Sequence, residues 1–188
     1  MRRGMIATGA VAVAVASLAL TACGTDGTRH QTASPTVRRG VGFSYATAYT
    51  SLHGLRADSK AVAVVSPTGQ SNVTQVGNVP FTISTVKVVE VLSGGPLPNV
   101  LSLRQTGDAR TSAPEFYLLQ QGRQYIVYLV PFSSDNGQWV TTGAAQGIWA
   151  SSTSSNPDQA PSPSQQFDRV IQNDQLPSSL TPQEASAS

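Results

Sequence analysis

The sequence predicts a mainly β protein: a small barrel of five or six strands, with a short helix before it and a short helix after it. Three observations carry that expectation. Short apolar runs recur across residues 61–149, bounded by Gly, Pro or Asn. Strands at such spacing, with turn signals between them, point to a barrel or sandwich rather than to βαβ units. The longest run changes phase midway, as a bulged or sharply coiled strand does. Another run is apolar on both faces, which marks a central strand.

Tyr45, Tyr49, Leu52 and Leu55 fall at helical spacing, so residues 45–59 read as a short helix or turn-rich lead. Gly54 weakens that helix by about 1 kcal/mol relative to Ala. Ala61-Val62-Ala63-Val64-Val65 is a continuous apolar β-run, closed by Pro67 and Gly69. In residues 81–92, Phe81 and Ile83 share one face while Val86 and Val88 share the other, and Gly94-Gly95-Pro96 ends the strand. Leu101 and Leu103 alternate with polar residues over 100–105, and residues 116–119 lead into a turn at Gln120-Gln121-Gly122. Residues 125–130, Tyr-Ile-Val-Tyr-Leu-Val, form the central strand. Asp135-Asn136-Gly137 carries the Asn-Gly hairpin signal, and Trp139-Val140-Thr141 is the returning strand. Gly147-Ile148-Trp149 reads as a last edge.

Beyond the barrel the chain becomes rich in Ser and Pro over 151–164 and reads as loose. Phe167, Val170 and Ile171 suit a short amphipathic helix near 165–173, with Ser164 as its N-cap. Pro177 and Pro182 then break regular structure, and the end is expected to be disordered.

The first residues carry a different signal. Arg2 and Arg3 precede a weakly apolar stretch over 4–20, and Leu20-Thr21-Ala22-Cys23 follows at its end. A charged start, an apolar middle and small residues make an export signal. The stretch is too short and too weakly apolar for a transmembrane helix, which needs roughly 20 strongly apolar residues. Leu20, Thr21, Ala22 and Cys23 resemble the lipobox of bacterial lipoproteins. That resemblance implies cleavage before Cys23 and attachment of a diacylglycerol, such as a palmitate-bearing one, to its sulfur. Two acyl chains hold stably where one holds marginally, each buried CH₂ contributing about 0.8 kcal/mol. The general secretory and twin-arginine routes both stay open. The expected location is the extracytoplasmic face of the cell membrane, with the membrane as partner through the lipid on Cys23.

Cleavage there removes Arg2 and Arg3 and leaves ten basic against ten acidic side chains. A formally neutral chain has no electrostatic footprint for nucleic acid. Cys23 is the single cysteine, so the fold expects neither a disulfide framework nor a thiolate zinc site. Residues 24–42 are polar and aperiodic and read as a tether. Arg29, Arg38 and Arg39 there either contact anionic head groups or remain solvated. The domain plan is a signal peptide at 1–22, a tether at 23–42, a β-barrel at 43–150 and a tail at 151–188.

The barrel also bears a resemblance. A helix-like lead ends in Ala57-Asp58-Ser59-Lys60 before Ala61-Val62-Ala63-Val64. Val79-Pro80-Phe81-Thr82-Ile83-Ser84-Thr85-Val86-Lys87-Val88 then runs into Glu90-Val91-Leu92-Ser93-Gly94, with Leu118-Leu119, Gly122 and Tyr125-Ile126-Val127-Tyr128-Leu129 following. This order resembles secreted bacterial proteins whose barrel is similar to OB-fold and netrin/TIMP-like domains. Netrin/TIMP-like inhibitors need disulfides and a free N-terminal cysteine. This chain has neither once Cys23 is acylated, and a fold analogy alone does not assign function.

The residues that carry chemistry are sparse. A serine-type triad needs a histidine base held by an acid. His30 lies in the tether and His53 in the short helix, with no nucleophile elbow nearby. Asp58, Glu90, Asp108, Glu115 and Asp135 form no recognisable glycosidase pair. Gly143-Ala144-Ala145-Gln146-Gly147 lacks the Lys-Ser/Thr of a phosphate loop and reads as a bend. No catalytic residue, cofactor or metal is therefore expected. Aromatics gather in the second half of the chain, at Tyr117, Tyr125, Tyr128, Phe132, Trp139 and Trp149. OB-like barrels stack ligands on exposed aromatics, so Tyr125, Tyr128, Trp139 and Trp149 are the candidate binding residues; the alternative is that they fill the barrel. The expected function is a lipid-anchored binding or interaction module that meets an envelope protein or glycan. The alternative is an envelope hydrolase or inhibitor.

Overall fold

Eight strands and two short helices make up the computed structural model, which describes residues 48–111, 116–132, 137–152, 156–172 and 175–188. These residues belong to a single compact unit. The lipobox Leu20-Thr21-Ala22-Cys23, the tether, His30, Tyr45, Glu115, Asp135 and Asn136 lie outside the described residues. Among the described residues no helix is long and apolar enough to cross a membrane.

The helical lead is α1 (Leu52–Ala57), a short piece of the 45–59 expectation. Ser51 caps it by accepting a hydrogen bond from the Gly54 N–H. The strands follow as β1 (Ala61–Val76), β2 (Val79–Gly94), β3 (Val100–Thr106), β4 (Tyr125–Pro131), β5 (Gln138–Thr141), β6 (Ile148–Ser151), β7 (Phe167–Arg169) and β8 (Ser179–Leu180). A second helix, α2 (Pro182–Ala187), closes the chain.

The sheet order is β1-β2-β3-β5-β4-β6-β7-β8, and β1 also pairs with β4. The first five strands therefore close a ring. All its contacts are antiparallel except β3 with β5, where Leu103 faces Trp139 in parallel register. Closure requires strong coiling, and the β1–β2 register supplies it. Leu92 and Val89 are unpaired extra residues on β2, and on β1 the three residues 68–70 stand against Thr85 alone. Each such bulge bends its strand and increases the local twist. The face switch read between Ile83 and Val86 is not itself a bulge on β2: Thr82, Ser84 and Val86 alternate inward, and the register with β3 runs unbroken from Thr82 to Lys87.

Two apolar clusters use the two faces of the same strands. Ala63, Val65, Val86, Leu101, Leu103, Tyr125, Val127 and Leu129 fill one side, inside the ring. Val62, Val64, Ile126, Tyr128 and Trp149 fill the other. Alternation along β1 and β4 sends successive side chains to opposite faces, and β4 is buried from Tyr125 through Leu129 because both faces are covered. The central-strand reading of 125–130 rests on this double burial.

Four expectations are corrected. The first strand does not stop at Pro67 and Gly69 but continues to Val76: Pro67 still lies opposite Val86, the bulge at 68–70 absorbs Gly69, and pairing with β2 resumes at Ser71. Residues 165–173 do not form a helix. Phe167–Arg169 is a strand, because β6 presents an open edge at Trp149–Ser151 whose backbone groups need partners. For the same reason Gly147-Ile148-Trp149 does not end the sheet. Nor is the end of the chain disordered. β8 pairs with β7, and α2 follows with Thr181 and Glu184 forming a reciprocal capping box and Pro182 in its first turn. The tail at 151–188 thus belongs to the same sheet as the strands before it, and its Phe167, Leu176, Leu180 and Ala185 complete the outer cluster.

The buried phenols link this core to pH. Burial pushes the Tyr125 and Tyr128 hydroxyls up, against partial relief from the Gln120 backbone and from Ser188 respectively. Tyr49 is pushed up to about 12 by burial and by its hydrogen bond to the Asp58 carboxylate. A raised phenol favours the neutral folded form. Its stabilisation is complete below the ordinary value of 10.0 and is lost as pH rises through the folded value. Alkaline unfolding is therefore expected to start above about pH 10, with tyrosinate absorbance and loss of circular dichroism rising together. Tyrosinate absorbance that saturated before any loss of structure would contradict the burial of these hydroxyls.

Candidate functional site

A recess of about 240 Å³ opens where β2, β3, β5 and a 3-10 turn at Ala144–Gly147 come together. Its walls are largely aromatic: Phe81 from β2, Phe116 and Tyr117 from the segment before β4, and Phe132 just after β4. Phe132 is 37% exposed and stands at the surface. Arg104 from β3 is the single charged side chain among the described lining residues.

Local structure explains how these groups meet. Leu101, Leu103 and Gln105 alternate inward along β3, so Arg104 points to the opposite face. Arg104 lies opposite Ile83, and Phe81 is two residues along on the same face of β2, within diagonal reach of a long side chain. Gln105 pins the segment before β4: its Nε2 donates to the Tyr117 carbonyl at 2.7 Å and its Oε1 accepts from the Leu119 N–H at 3.3 Å. On the far wall Ala144 has a positive φ, +52°, as does Gly143 just before it, +66°. The left-handed conformation costs a non-glycine residue about 1–2 kcal/mol, so the surrounding structure holds Ala144 against a local preference. Gly143 has no such choice: a Cβ there would meet the Tyr49 ring at 2.8 Å.

The chemistry of the recess centres on Arg104. Its guanidinium carbon stands 4.1 Å from the Phe81 ring centroid and 4.4 Å from that of Phe132. Each such contact contributes about 0.5–2 kcal/mol, more as water is excluded. The residue is only 9% exposed, and its buried Nε–H has no hydrogen-bond acceptor among the described residues. Gln138 Oε1, on neighbouring β5, is also buried without a donor there. Buried polar groups are nearly always paired, so two unpaired atoms on adjacent strands call for an explanation.

The candidate binding residues read from the sequence do not form this site. Tyr125, Tyr128 and Trp149 are fully buried. Tyr125 faces the ring interior, while Tyr128 and Trp149 meet at a tilt, their ring centroids 5.6 Å apart, beneath the tail. Their polar ends are satisfied internally. Trp149 Nε1 donates to the Pro177 carbonyl, Tyr128 pairs with Ser188, and the Tyr125 hydroxyl accepts from the Gln120 N–H. Trp139 is half-buried and packs on the inner cluster. These aromatics are core because β4 and β6 are covered on both faces, which no local pattern announces. Tyr117 and Phe132 belonged to the aromatic group noted in the sequence, but Phe81 and Arg104 carried no signal beyond a cation in an alternating strand.

The remaining titratable groups are dispersed. His53 is exposed on α1. Asp58 accepts from Tyr49, and Asp108 is held below the usual carboxylate range by hydrogen bonds from Thr111 and the Arg110 backbone. Among the described residues no three His, Cys, Asp or Glu side chains gather as a metal-ligand group. No protein family, curated protein or solved structure matches the chain.

Proposed function

We propose that this protein is a lipid-anchored binding module on the extracytoplasmic face of the cell membrane, acylated at Cys23 and partnered with an envelope protein or glycan. The anchor rests on Leu20-Thr21-Ala22-Cys23 at the end of an apolar leader and on Cys23 being the single cysteine. The binding role rests on one observation, the aromatic recess around Arg104. A concave, mostly apolar pocket with a few convergent polar groups is the ordinary form of a ligand site. The strained backbone at Ala144 on its wall adds weight, since such conformations concentrate at functional sites. We also read the five-strand ring as an OB-like barrel. The order β1-β2-β3-β5-β4 returning to β1, with its single parallel contact between β3 and β5, supports that reading.

The test joins anchor and recess. Metabolic lipid labelling of the full chain is expected in its natural form and absent in Cys23→Ala, which should also leave the membrane fraction. Photo-crosslinkers placed at Phe132 are expected to capture an envelope component that crosslinkers on exposed α2 do not. Unchanged labelling of Cys23→Ala defeats the anchor, and equal capture from both positions defeats the binding role.

A further inference from the structure

We propose that the recess binds an organic monocarboxylate with an apolar body, held by Arg104. The inference rests on the binding role given to the recess and adds the chemistry of what enters it.

Charge comes first. Arg104 is permanently cationic, 9% exposed, and the single charged group among the described lining residues. A buried cation without a counter-charge is costly, and its burial becomes favourable when an anion completes it. One positive charge in a mostly apolar recess matches one negative charge; a doubly charged phosphate would leave a charge uncompensated.

Geometry narrows the anion. Phe81 and Phe132 stack on the guanidinium at 4.1 and 4.4 Å, so an acceptor reaches it along its N–H edge. The Nε–H on that edge is buried and unpartnered among the described residues. A planar carboxylate accepts two parallel N–H bonds from such an edge. The walls set the rest of the molecule: Phe116, Tyr117, Val140 and Ile148 offer ring and aliphatic surface, and about 240 Å³ holds a group of amino-acid size.

The acid has two sources, a free hydrophobic acid or the C-terminus of a peptide. Gln138 bears on the choice. Ser102 faces Gln138 in the β3–β5 register, which puts Gln138 on the sheet face that carries Arg104, behind the lining of the recess, with its Oε1 buried and without a donor among the described residues. A peptide C-terminus carries an N–H beside its carboxylate, which can donate to that oxygen.

The experiment is calorimetric titration of the full chain in detergent with four probes: 3-phenylpropionate, N-acetyl-phenylalanine, N-acetyl-phenylalaninamide and phenyl phosphate. Both acids are expected to bind, the amide and the phosphate at least about tenfold more weakly, since a charge-assisted hydrogen bond is worth roughly tenfold to a hundredfold. A preference for N-acetyl-phenylalanine that disappears in Gln138→Leu identifies a peptide C-terminus; equal binding of the two acids identifies a free acid. Arg104→Met keeps the apolar stem and is expected to lose acid binding by that same factor. Arg104→Lys keeps the charge without the fork and is expected to fall between. Unchanged secondary structure by circular dichroism shows that both variants fold.

Equal affinity for acid and amide overturns the proposal, as does tighter binding of phenyl phosphate. Acid binding that appears only after Glu115→Gln and Asp135→Asn also overturns it, because a carboxylate of the chain would then be the partner of Arg104. Failure of every probe while Phe132 still crosslinks an envelope component rejects the carboxylate and leaves the binding role standing.

Discussion

A chain shortened to end at residue 164 is expected not to fold. The sequence alone makes that truncation look harmless, since the Ser- and Pro-rich tail shows no strong periodicity. In the structure the tail supplies β7, β8 and α2, and with them Phe167, Leu176, Leu180 and Ala185 of the outer cluster. Burying a Leu or Phe side chain stabilises by about 1.5–3 kcal/mol. Losing three of them removes on the order of 5 kcal/mol, comparable with the entire stability of a marginal domain. The loss is compounded because Trp149, Tyr128 and Leu55 lose their cover. Two single substitutions grade the effect. Leu180→Ala is expected to cost about 2–5 kcal/mol and Phe167→Ala about 3–5 kcal/mol in denaturant unfolding. A truncated protein that melts with the full chain would show that the outer cluster does not depend on the tail.

The second large effect separates two adjacent glycines. Gly94→Ala is expected to destabilise by about 2–4 kcal/mol, combining a side chain at positive φ with overpacking. Gly95→Ala is expected to change stability by no more than about 0.5 kcal/mol, as an open surface substitution does. Gly94 has φ +94°, and a Cβ there would lie 2.8 Å from Ala61 Cα and closer still to the Lys60 carbonyl. Both obstacles are backbone, so no rotamer change relieves them. At Gly95 nothing lies within 4 Å of the same atom. The contrast arises because Gly94 pairs with Ala61, where β2 ends against the first residue of β1. Thermal melts of the two variants side by side decide the matter, and equal melting temperatures would remove the close approach at Gly94.

Much of the ring was legible in the sequence. The run 125–130 announced a strand covered on both faces, whereas the switch from Phe81 and Ile83 to Val86 and Val88 is plain alternation with apolar residues on both faces, and the bulges on β2 fall later, at Val89 and Leu92. Leu101 and Leu103 marked the inner face of β3 by simple alternation. Other features were hidden for identifiable reasons. Phe167, Val170 and Ile171 fit helical spacing, and only the open edge of β6 favours a strand over it. Pro67 and Gly69 are ordinary strand terminators, but Pro67 keeps its place opposite Val86 and a bulge at 68–70 carries β1 past Gly69. The recess was hidden because Phe81, Arg104, Phe116 and Phe132 are far apart in the chain and meet through sheet register.

The sequence by itself determined the mainly β class, the strands of the ring and the short helix ahead of them, because alternation and turn chemistry act over a few residues. It also set the expectation of a lipid anchor, because a lipobox is read as a contiguous string. Tertiary structure alone decided which aromatics are core and which line a recess. It decided that the tail is a structural part of the sheet, and that Arg104 lies against two rings with a buried N–H that has no acceptor among the described residues. Burial depends on what covers a face, and here the cover for β4 and β6 comes from residues distant in the chain, Leu55 on one side and the tail as far as Ser188 on the other.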